Sequence, residues 1–155
     1  MSYRNVKIEK SARIAKQSII LGDVTIGRDS CVLYYAVIRG DDAPVTIGAE
    51  TNIQENCTIH VSHNMPVHIG NNVTIGENVG IYTSNHAKDP KLRRDHWCSE
   101  LPIRIGNNVV IESNSVILPG TIIGDDAWIR PGSVVLGRIE ADSICAGDPA
   151  RRESK

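Results

Sequence analysis

The sequence predicts an all-β chain wound as a parallel β-helix, in which short strands stack coil upon coil. Two observations predict it. A branched aliphatic residue recurs every six positions, and a smaller residue stands two positions before it. Residues two apart share one side of a strand, whereas a helix would need a 3.6-residue period. Three six-residue units close one triangular coil that contacts only its neighbours, and a β-sandwich would not hold this phase through six consecutive units.

The repeat supplies the predicted core, since the chain has no Phe and only 4% aromatic residues. Eighteen aliphatics form the series, in four runs: Ile8, Ile14, Ile20, Ile26, Val32 and Ile38; Ile47, Ile53 and Ile59; Ile69, Ile75 and Ile81; and Ile105, Ile111, Ile117, Ile123, Ile129 and Val135. Between the units lie segments such as GNN at 70–72 and 106–108 and GDD at 124–126. Gly, Asn and Asp tolerate positive φ, so these segments are predicted corners.

Length and charge exclude several classes of protein. The 155 residues fit one domain, and a net charge of −1 gives no reason to expect nucleic acid or a membrane surface as partner. The first 14 residues are too polar for a secretory signal, and no apolar run is long enough to span a membrane. Four scattered cysteines suit a reduced compartment. We therefore expect a single cytoplasmic domain over 1–155.

One stretch interrupts the repeat. The sequence IYTSNHAKDPKLRR, residues 81–94, brings a histidine, two lysines, two arginines and a proline into a run of isoleucines and small residues. We predict one long excursion loop around residues 83–102, with 84–101 outside the coil and 140–155 as a C-terminal tail. Loops carry function when a rigid scaffold positions them, so this excursion is the predicted site.

The repeat resembles the hexapeptide-repeat family of left-handed β-helices. The predicted left-handedness comes from this resemblance, since crossover connections are generally right-handed. Many members of that family are trimers that bind an acyl-coenzyme A in clefts between subunits, and others are γ-class carbonic anhydrases. The resemblance therefore implies a left-handed parallel β-helix that forms a homotrimer.

The first half of the chain is similar to the γ-carbonic-anhydrase-like proteins. Arg39, Asp41, Gln54 and His60 fall where those proteins have an R-G-D segment, a glutamine and the first metal-binding histidine. The other two histidines of that family are expected within TIGENVGIYTS, where this chain has a glutamate and a tyrosine, Glu77 and Tyr82. Zinc hydration chemistry needs three protein ligands and an open position. We therefore expect no metal.

The second half resembles the hexapeptide acetyltransferases of the maltose and galactoside O-acetyltransferase type. The shared motifs are the Tyr-Thr-x-x-His-x-x-Asp-Pro loop at 82–90, the segment PIRIGNNVVI at 102–111 and the ending AGDPAR at 146–151. The resemblance implies His86 as the general base that takes the acceptor's proton, a task that suits an imidazole. It also implies Asn85, Tyr82 and Asp89 as substrate-binding residues.

The cofactor residues follow from the same resemblance. Ser113 falls where relatives place a hydrogen-bonding residue for the cofactor, and Arg151 and Arg152 are positioned to meet its phosphates. The outward positions of the last coils are apolar, which indicates a covered surface. These positions are Val110, Val116, Ile122, Trp128 and Val134.

The sequence thus predicts an acyltransferase that moves an acetyl group from acetyl-CoA to a hydroxyl or amine of a small, sugar-like or amino-sugar-like acceptor. Two alternatives stay open. One is a γ-carbonic-anhydrase-like metalloprotein with a degenerate metal site. The other is a non-catalytic hexapeptide protein that serves as an assembly module.

Overall fold

The computed structural model describes residues 5–153, and these form a left-handed parallel β-helix, as predicted. Residues 1–4 and 154–155 of the predicted domain lie outside the described residues. The described chain has 21 strands and one short helix. In chain order they are β1 Lys7–Ile8, β2 Arg13–Ile14, β3 Ile19–Ile26, β4 Cys31–Val32, β5 Val37–Ile47, β6 Asn52–Ile53, β7 Thr58–His60, β8 Val67–Ile69, β9 Thr74–Ile75, β10 Gly80–Tyr82, β11 Ser84–His86, α1 Pro90–Arg94, β12 Cys98–Glu100, β13 Ile103–Ile105, β14 Val110–Ile111, β15 Val116–Ile117, β16 Ile122–Ile123, β17 Trp128–Ile129, β18 Val134–Val135, β19 Arg138–Ile139, β20 Ile144–Gly147 and β21 Ala150–Arg152.

The strands stack into three faces of a prism. The first face holds β1, the ends of β3 and β5, β8, β13, β16 and β19. The second face holds β2, β4, β6, β9, β14, β17 and β20. The third face holds the beginnings of β3 and β5, then β7, β10, β15 and β18. Within each face these strands run parallel to their neighbours, so each coil adds one rung to every face.

The predicted aliphatic series is confirmed as three in-register ladders. On the second face, for example, Ile53 lies level with Ile75, and Ile75 with Ile111. Fifteen of the eighteen side chains are buried; the other three belong to the first coil, where Ile8 is 41% exposed. Among residues 5–153 that coil packs against another coil on one side only, which explains its exposure. The core is therefore a column of stacked aliphatics along the prism axis.

The corners use residues in the left-handed region three positions after a core aliphatic. They are Asp29, Tyr35, Glu50, Asn56, Asn72, Asn78, Asn108, Asn114, Asp126 and Asp142, with glycine at 120 and 132. Asn and Asp adopt positive φ at little cost, and their side chains also join successive coils. Asn72 donates to Asn108 at 3.0 Å, and Asn108 donates to Asp126 at 3.0 Å. Corner composition thus fixes both the turn and the stacking of coils.

Departures from the six-residue period fall at one corner, where the chain passes from the third face to the first. Three extra residues enter between Ile38 and Ile47, four between Ile59 and Ile69, and the excursion between Ile81 and Ile105. We call this edge the insertion corner. Rungs on either side stay in register, because the additions lie between the paired segments. The three-residue addition falls inside β5, between its two paired ends.

The solenoid continues into the segment that the sequence assigned to a tail. Strand β20 pairs in parallel with β17, and the chain then reverses so that β21 pairs antiparallel with β20. Ala150 of β21 is 3% exposed and joins the core. No helix among residues 5–153 is long and apolar enough to cross a membrane.

Replacing Ile111 by alanine should lower the free energy of unfolding by about 2–5 kcal/mol, because the change leaves a cavity in a packed ladder. Ile111 is fully buried between Ile75 and Ile129. Chemical denaturation measures the effect. The control is Thr74→Ala on the same face, where the side chain is exposed and the change should stay within about 0.5 kcal/mol. If the two variants unfolded at the same denaturant concentration, Ile111 would not contribute to a stacked core.

Candidate active site

The excursion is a folded hairpin that leaves the insertion corner. Strand β11 pairs antiparallel with β12, and α1 lies between them. Asp89 is the N-cap of α1, since one of its carboxylate oxygens accepts the Lys91 backbone N–H at 2.7 Å, and Pro90 follows at the first helical position. The predicted departure from the coil is confirmed, and its strands form a regular ribbon.

The two ends of the hairpin are hydrogen-bonded to Ser62 of the preceding coil. Before β11, the Thr83 hydroxyl oxygen accepts the Ser62 backbone N–H at 2.7 Å, and the Leu101 N–H, after β12, donates to the Thr83 carbonyl at 3.0 Å. The Ser62 hydroxyl donates to the Glu100 carboxylate at 2.5 Å. Thr83 is fully buried and Glu100 is half-buried. Residues 62, 83, 100 and 101 form what we call the hairpin root.

His86 lies on this ribbon with its side chain exposed. It stands directly opposite Cys98, and the Cys98 sulfur lies 3.4 Å from His86 Nδ1. Directly opposed residues of an antiparallel pair project on the same side of the ribbon. Among residues 5–153 this thiol is the one hydrogen-bonding partner of the imidazole, so Nε2 has no protein partner there.

The predicted substrate-binding residues do not share one position around His86. Asn85 is exposed and adjacent in the strand, so its side chain projects from the opposite side of the ribbon. Tyr82 belongs to the third face, and its ring folds back over Gly80, where an added Cβ would lie 2.4 Å from the ring. Asp89 uses a carboxylate oxygen to begin α1. The three residues flank the imidazole along the chain rather than surrounding it.

A second polar cluster lies on the third face. Arg39, His60 and Tyr82 stand level on successive rungs. Arg39 Nη2 donates to Asp41 Oδ2 at 2.7 Å, and the Asp41 side chain is 4% exposed. This hydrogen bond holds the pKa of Asp41 below its usual range. Burial and the neighbouring guanidinium lower the pKa of His60, so its neutral form is favoured.

These residues do not fit a three-ligand zinc site within one chain. Glu77 lies at the corner after the second face, where its carboxylate accepts a hydrogen bond from the Ser113 hydroxyl, whereas His60 lies on the third face. Tyr82 stands level with His60 on the next rung, and a phenol does not replace a neutral imidazole as a zinc ligand. Within residues 5–153, no group of three or more His, Cys, Asp or Glu side chains is placed to hold an ion.

The three predicted cofactor residues do not share one depression of the single chain: Ser113 lines one by itself, and Arg151 and Arg152 share another. Ser113 lines a groove of about 520 Å³ on the second face together with Glu77. Arg152 lines a groove of about 430 Å³ beside Trp128, and Arg151 lines one of about 150 Å³ beside Leu136. His86 lines none of these three. One chain alone therefore does not bring the imidazole and these cofactor residues together.

Sequence reasoning missed Cys98 and the pair formed by Ser62 and Glu100. Cys98 follows His86 by twelve residues, and the Asp-Pro dipeptide between them is a helix-start signal. A helix inside the excursion favours a hairpin. Which residues of β11 and β12 pair, however, depends on the length of the segment between the two strands. Ser62 and Glu100 are 38 residues apart and belong to different coils, so no local pattern links them.

Two families match parts of the chain. The family described as bacterial transferase hexapeptide (six repeats) matches residues 102–137, and the hexapeptide repeat of succinyl-transferase matches residues 44–83. Among curated proteins, a carbonic anhydrase of Geobacillus kaustophilus is 41% identical over 78 residues, covering 50% of this chain and 43% of that protein. Gamma carbonic anhydrase 1, mitochondrial, of Arabidopsis thaliana is 30% identical over 146 residues, covering 93% of this chain and 48% of that protein. The chain thus spans about half the length of these relatives.

Solved structures of acetyltransferases are similar over nearly the whole chain. A candidate acetyltransferase of Bacillus cereus has a TM-score of 0.80 and 32% identity, covering 96% of this chain and 76% of that one. A maltose O-acetyltransferase of Clostridium difficile has a TM-score of 0.68 and 26% identity, covering 94% and 67%. A hexapeptide-repeat acetyltransferase of Vibrio cholerae, complexed with acetyl coenzyme A, has a TM-score of 0.66 and 25% identity, covering 95% and 68%.

Replacing Ser62 by alanine should loosen the hairpin while the solenoid stays folded. The change leaves the half-buried Glu100 carboxylate without its hydroxyl donor, at a cost of about 1–2 kcal/mol. Limited proteolysis within residues 84–100 should then be about five to thirty times faster, since cleavage follows the population of the open form. Ser99→Ala, at an exposed position of the same ribbon, is the control. Parent-like cleavage of the Ser62 variant would show that the root does not hold the hairpin.

Proposed function

The chain belongs to the hexapeptide-repeat family, and on that premise we propose that it is an acyltransferase that moves an acetyl group from acetyl-CoA to a hydroxyl or amine of a small acceptor. The observation that carries the proposal is the placement of His86 on a hairpin whose root is fixed to the solenoid. The likeness to a Vibrio cholerae acetyltransferase complexed with acetyl coenzyme A supports the donor. A sugar or amino sugar is the proposed acceptor class.

The proposed chemistry uses His86 as general base. Its imidazole takes the proton from the acceptor's hydroxyl or amine as that atom attacks the thioester carbonyl carbon. The tetrahedral oxyanion then collapses, the carbon–sulfur bond breaks, and the imidazolium returns the proton to the leaving thiolate. Asn85 is proposed to hydrogen-bond the bound acceptor from the other side of the ribbon, while Tyr82 is proposed to line the acceptor's approach from the third face. Asp89 contributes at least through α1, which it caps.

We further propose that the active assembly is a homotrimer with sites between subunits. A second subunit would supply the cofactor residues that one chain keeps apart from His86, namely Ser113, Arg151 and Arg152. Exposed apolar side chains support a covered surface: Leu92, Trp97 and Leu101 on the excursion, and Leu136, which directly follows β18 of the third face. Burial of such side chains between subunits would be favourable.

The third face is the proposed contact surface. Its outward row just before the core aliphatics is apolar over most of its length, with Ile19, Val37, Thr58, Gly80, Val116 and Val134. The polar cluster of Arg39, His60 and Tyr82 lies on the other outward row of this face. The outward row of the first face instead carries Lys7, Thr25, Thr46, His68, Arg104, Ile122 and Arg138. Burying the charges of Lys7, Arg104 and Arg138 would cost far more than burying valines, so the third face suits an interface better.

The second candidate is a γ-carbonic-anhydrase-like function, which the Arabidopsis relative favours by covering 93% of this chain. Tyr82 stands level with His60 on the neighbouring rung, where the family would need a further histidine, and this argues against it. Metal analysis of the purified protein, combined with thermal shift against acetyl-CoA, separates the candidates. Stabilisation by the thioester without bound metal supports the transferase, and stoichiometric zinc or iron supports the anhydrase. A protein that shows neither stabilisation nor bound metal would be an assembly protein.

Replacing His86 by alanine should lower kcat by about two to four orders of magnitude, because proton transfer from the acceptor is lost. Affinity for acetyl-CoA should stay the same, since the imidazole is not proposed to contact its phosphates. The assay is thiol release with a screen of sugars, amino sugars and amino acids. His96→Asn is the matched control, because His96 is exposed in the same excursion and its φ of 57° suits asparagine. Parent-like turnover of the alanine variant would refute the assignment of the base.

Replacing Val116 by arginine should convert the trimer to monomers, because a charged side chain would enter the proposed contact on the third face. Light scattering at micromolar concentration measures the assembly. Ile122→Arg, an outward substitution on the first face of the next coil, should leave the trimer intact. A monomeric parent would contradict the assembly, and dissociation by the Ile122 variant alone would place the contact on the first face.

A further inference from the structure

A groove of about 420 Å³ lies where the first face meets the insertion corner. Its volume falls within the range of small-molecule sites. Leu101 and Ile122 are 50% and 36% exposed. Gly120 also lines the groove, and a Cβ added there would lie 2.8 Å from Leu101 Cδ1, so a larger residue would displace that side chain. Apolar side chains form most of the wall: Pro66, Leu101, Pro102, Ile103 and Ile122.

The two basic side chains of this groove have no acidic partner. His68 of β8 and Arg104 of β13 stand level on adjacent rungs, and among residues 5–153 neither forms an ion pair. The guanidinium is charged at any physiological pH. A second positive charge opposite it, when the imidazole is protonated, is destabilising in a sheet. A bound anion would offset both charges.

The surroundings of Arg104 distinguish it from other exposed cations of the first face. Arg104 and His68 also line a second depression, of about 310 Å³, towards the corner between the first and second faces. The acidic residue there, Asp125, uses a carboxylate oxygen to accept the Asn107 backbone N–H at 2.7 Å. Arg138 belongs to the same outward row, level with Ile122, but lines neither depression. Arg104 therefore combines an unpaired charge with an apolar groove and a neighbouring imidazole.

We propose that this groove binds a small organic anion, namely a carboxylate on a compact apolar body. The carboxylate accepts hydrogen bonds from Arg104 and His68, and the apolar body covers Leu101, Pro102 and Ile122. A planar guanidinium binds a carboxylate through two parallel hydrogen bonds. One permanent positive charge matches a carboxylate better than a doubly charged phosphate. The site lies on the first face, away from the subunit contact proposed for the third face, and its ligand is neither the acceptor nor the coenzyme of the proposed transfer.

The bound anion also stabilises the hairpin. Leu101 belongs to the hairpin root, where its backbone N–H donates to the Thr83 carbonyl at 3.0 Å. Opening of the root removes this wall of the groove, so the anion binds the closed hairpin more tightly than the open one. A ligand that prefers one of two states shifts the equilibrium towards that state. The groove is thus a regulatory site that acts on the segment carrying His86.

The first test uses phenylacetate as the probe, with neither coenzyme nor acceptor. The full-length protein is titrated, and the amide NMR signals of β8 and β13 should shift with a single Kd. Phenylacetamide, which lacks the charge, and acetate, which lacks the apolar body, should each bind about tenfold or more weakly. Arg104→Gln should weaken phenylacetate binding about tenfold or more. Arg138→Gln is the matched control and should leave the Kd within about twofold.

Three results would overturn the assignment. Phenylacetamide that binds as tightly as phenylacetate would show that the charge is not recognised. Equal weakening by the Arg104 and Arg138 variants would show that the whole outward row attracts anions without a defined site. Phenyl phosphate that binds more tightly than phenylacetate would exclude a carboxylate as the preferred group.

The second test measures the effect on the hairpin by limited proteolysis within residues 84–100. Phenylacetate at ten times its Kd should slow cleavage about tenfold, since cleavage follows the population of the open form. The Arg104→Gln variant at the same concentration should show little protection. An unchanged rate in the saturated parent would overturn the regulatory role. Because no measurement here uses acyl transfer, failure of this site leaves the proposed function standing, and an inactive transferase leaves the site standing.

Discussion

The stacking of branched aliphatic side chains in register is the constraint on which the rest of the structure depends. A single six-residue strand cannot bury its aliphatic face, so every coil is stabilised by the coils on either side of it. A shift of one residue within a rung would turn the aliphatics outward and place polar side chains inside. The period can therefore change only between rungs, at the corners. Among the corners, the one between the third and first faces absorbs the three-residue and four-residue additions and the excursion.

Concentrating the additions at one corner gives the excursion a support. The four-residue addition of the third coil supplies Ser62, which binds both Thr83 and Glu100 of the hairpin root. Asn64 in turn donates its backbone N–H to the Asp42 carbonyl of the coil above. The irregular segments thus stack on one another as the regular rungs do. A loop so supported can hold reactive side chains in fixed positions, which an isolated 18-residue excursion would not do.

The same scaffold accommodates two chemistries, and the side chains at a few outward positions decide between them. The first half keeps an Arg39–Asp41 pair and His60 in the arrangement that resembles the anhydrases, yet Tyr82 stands level with His60 where a further imidazole would be needed. The second half carries the histidine-bearing hairpin that resembles the acetyltransferases. The ladder of aliphatics is compatible with either chemistry, because it determines only the inward-facing side chains.

The sequence by itself determined the fold, the core and the position of the excursion, because all three follow from one local period that tertiary contacts reinforce. It also singled out His86 through a motif. The tertiary structure alone decided that Cys98 faces His86, that Ser62 binds Glu100 across 38 residues, that Asp89 caps a helix, and that Ser113 lies in a different groove from Arg151 and Arg152. Each of these contacts joins residues outside the repeat or on different coils. Their geometry depends on how the hairpin folds and how the coils stack, and no periodic pattern in the chain encodes that relation.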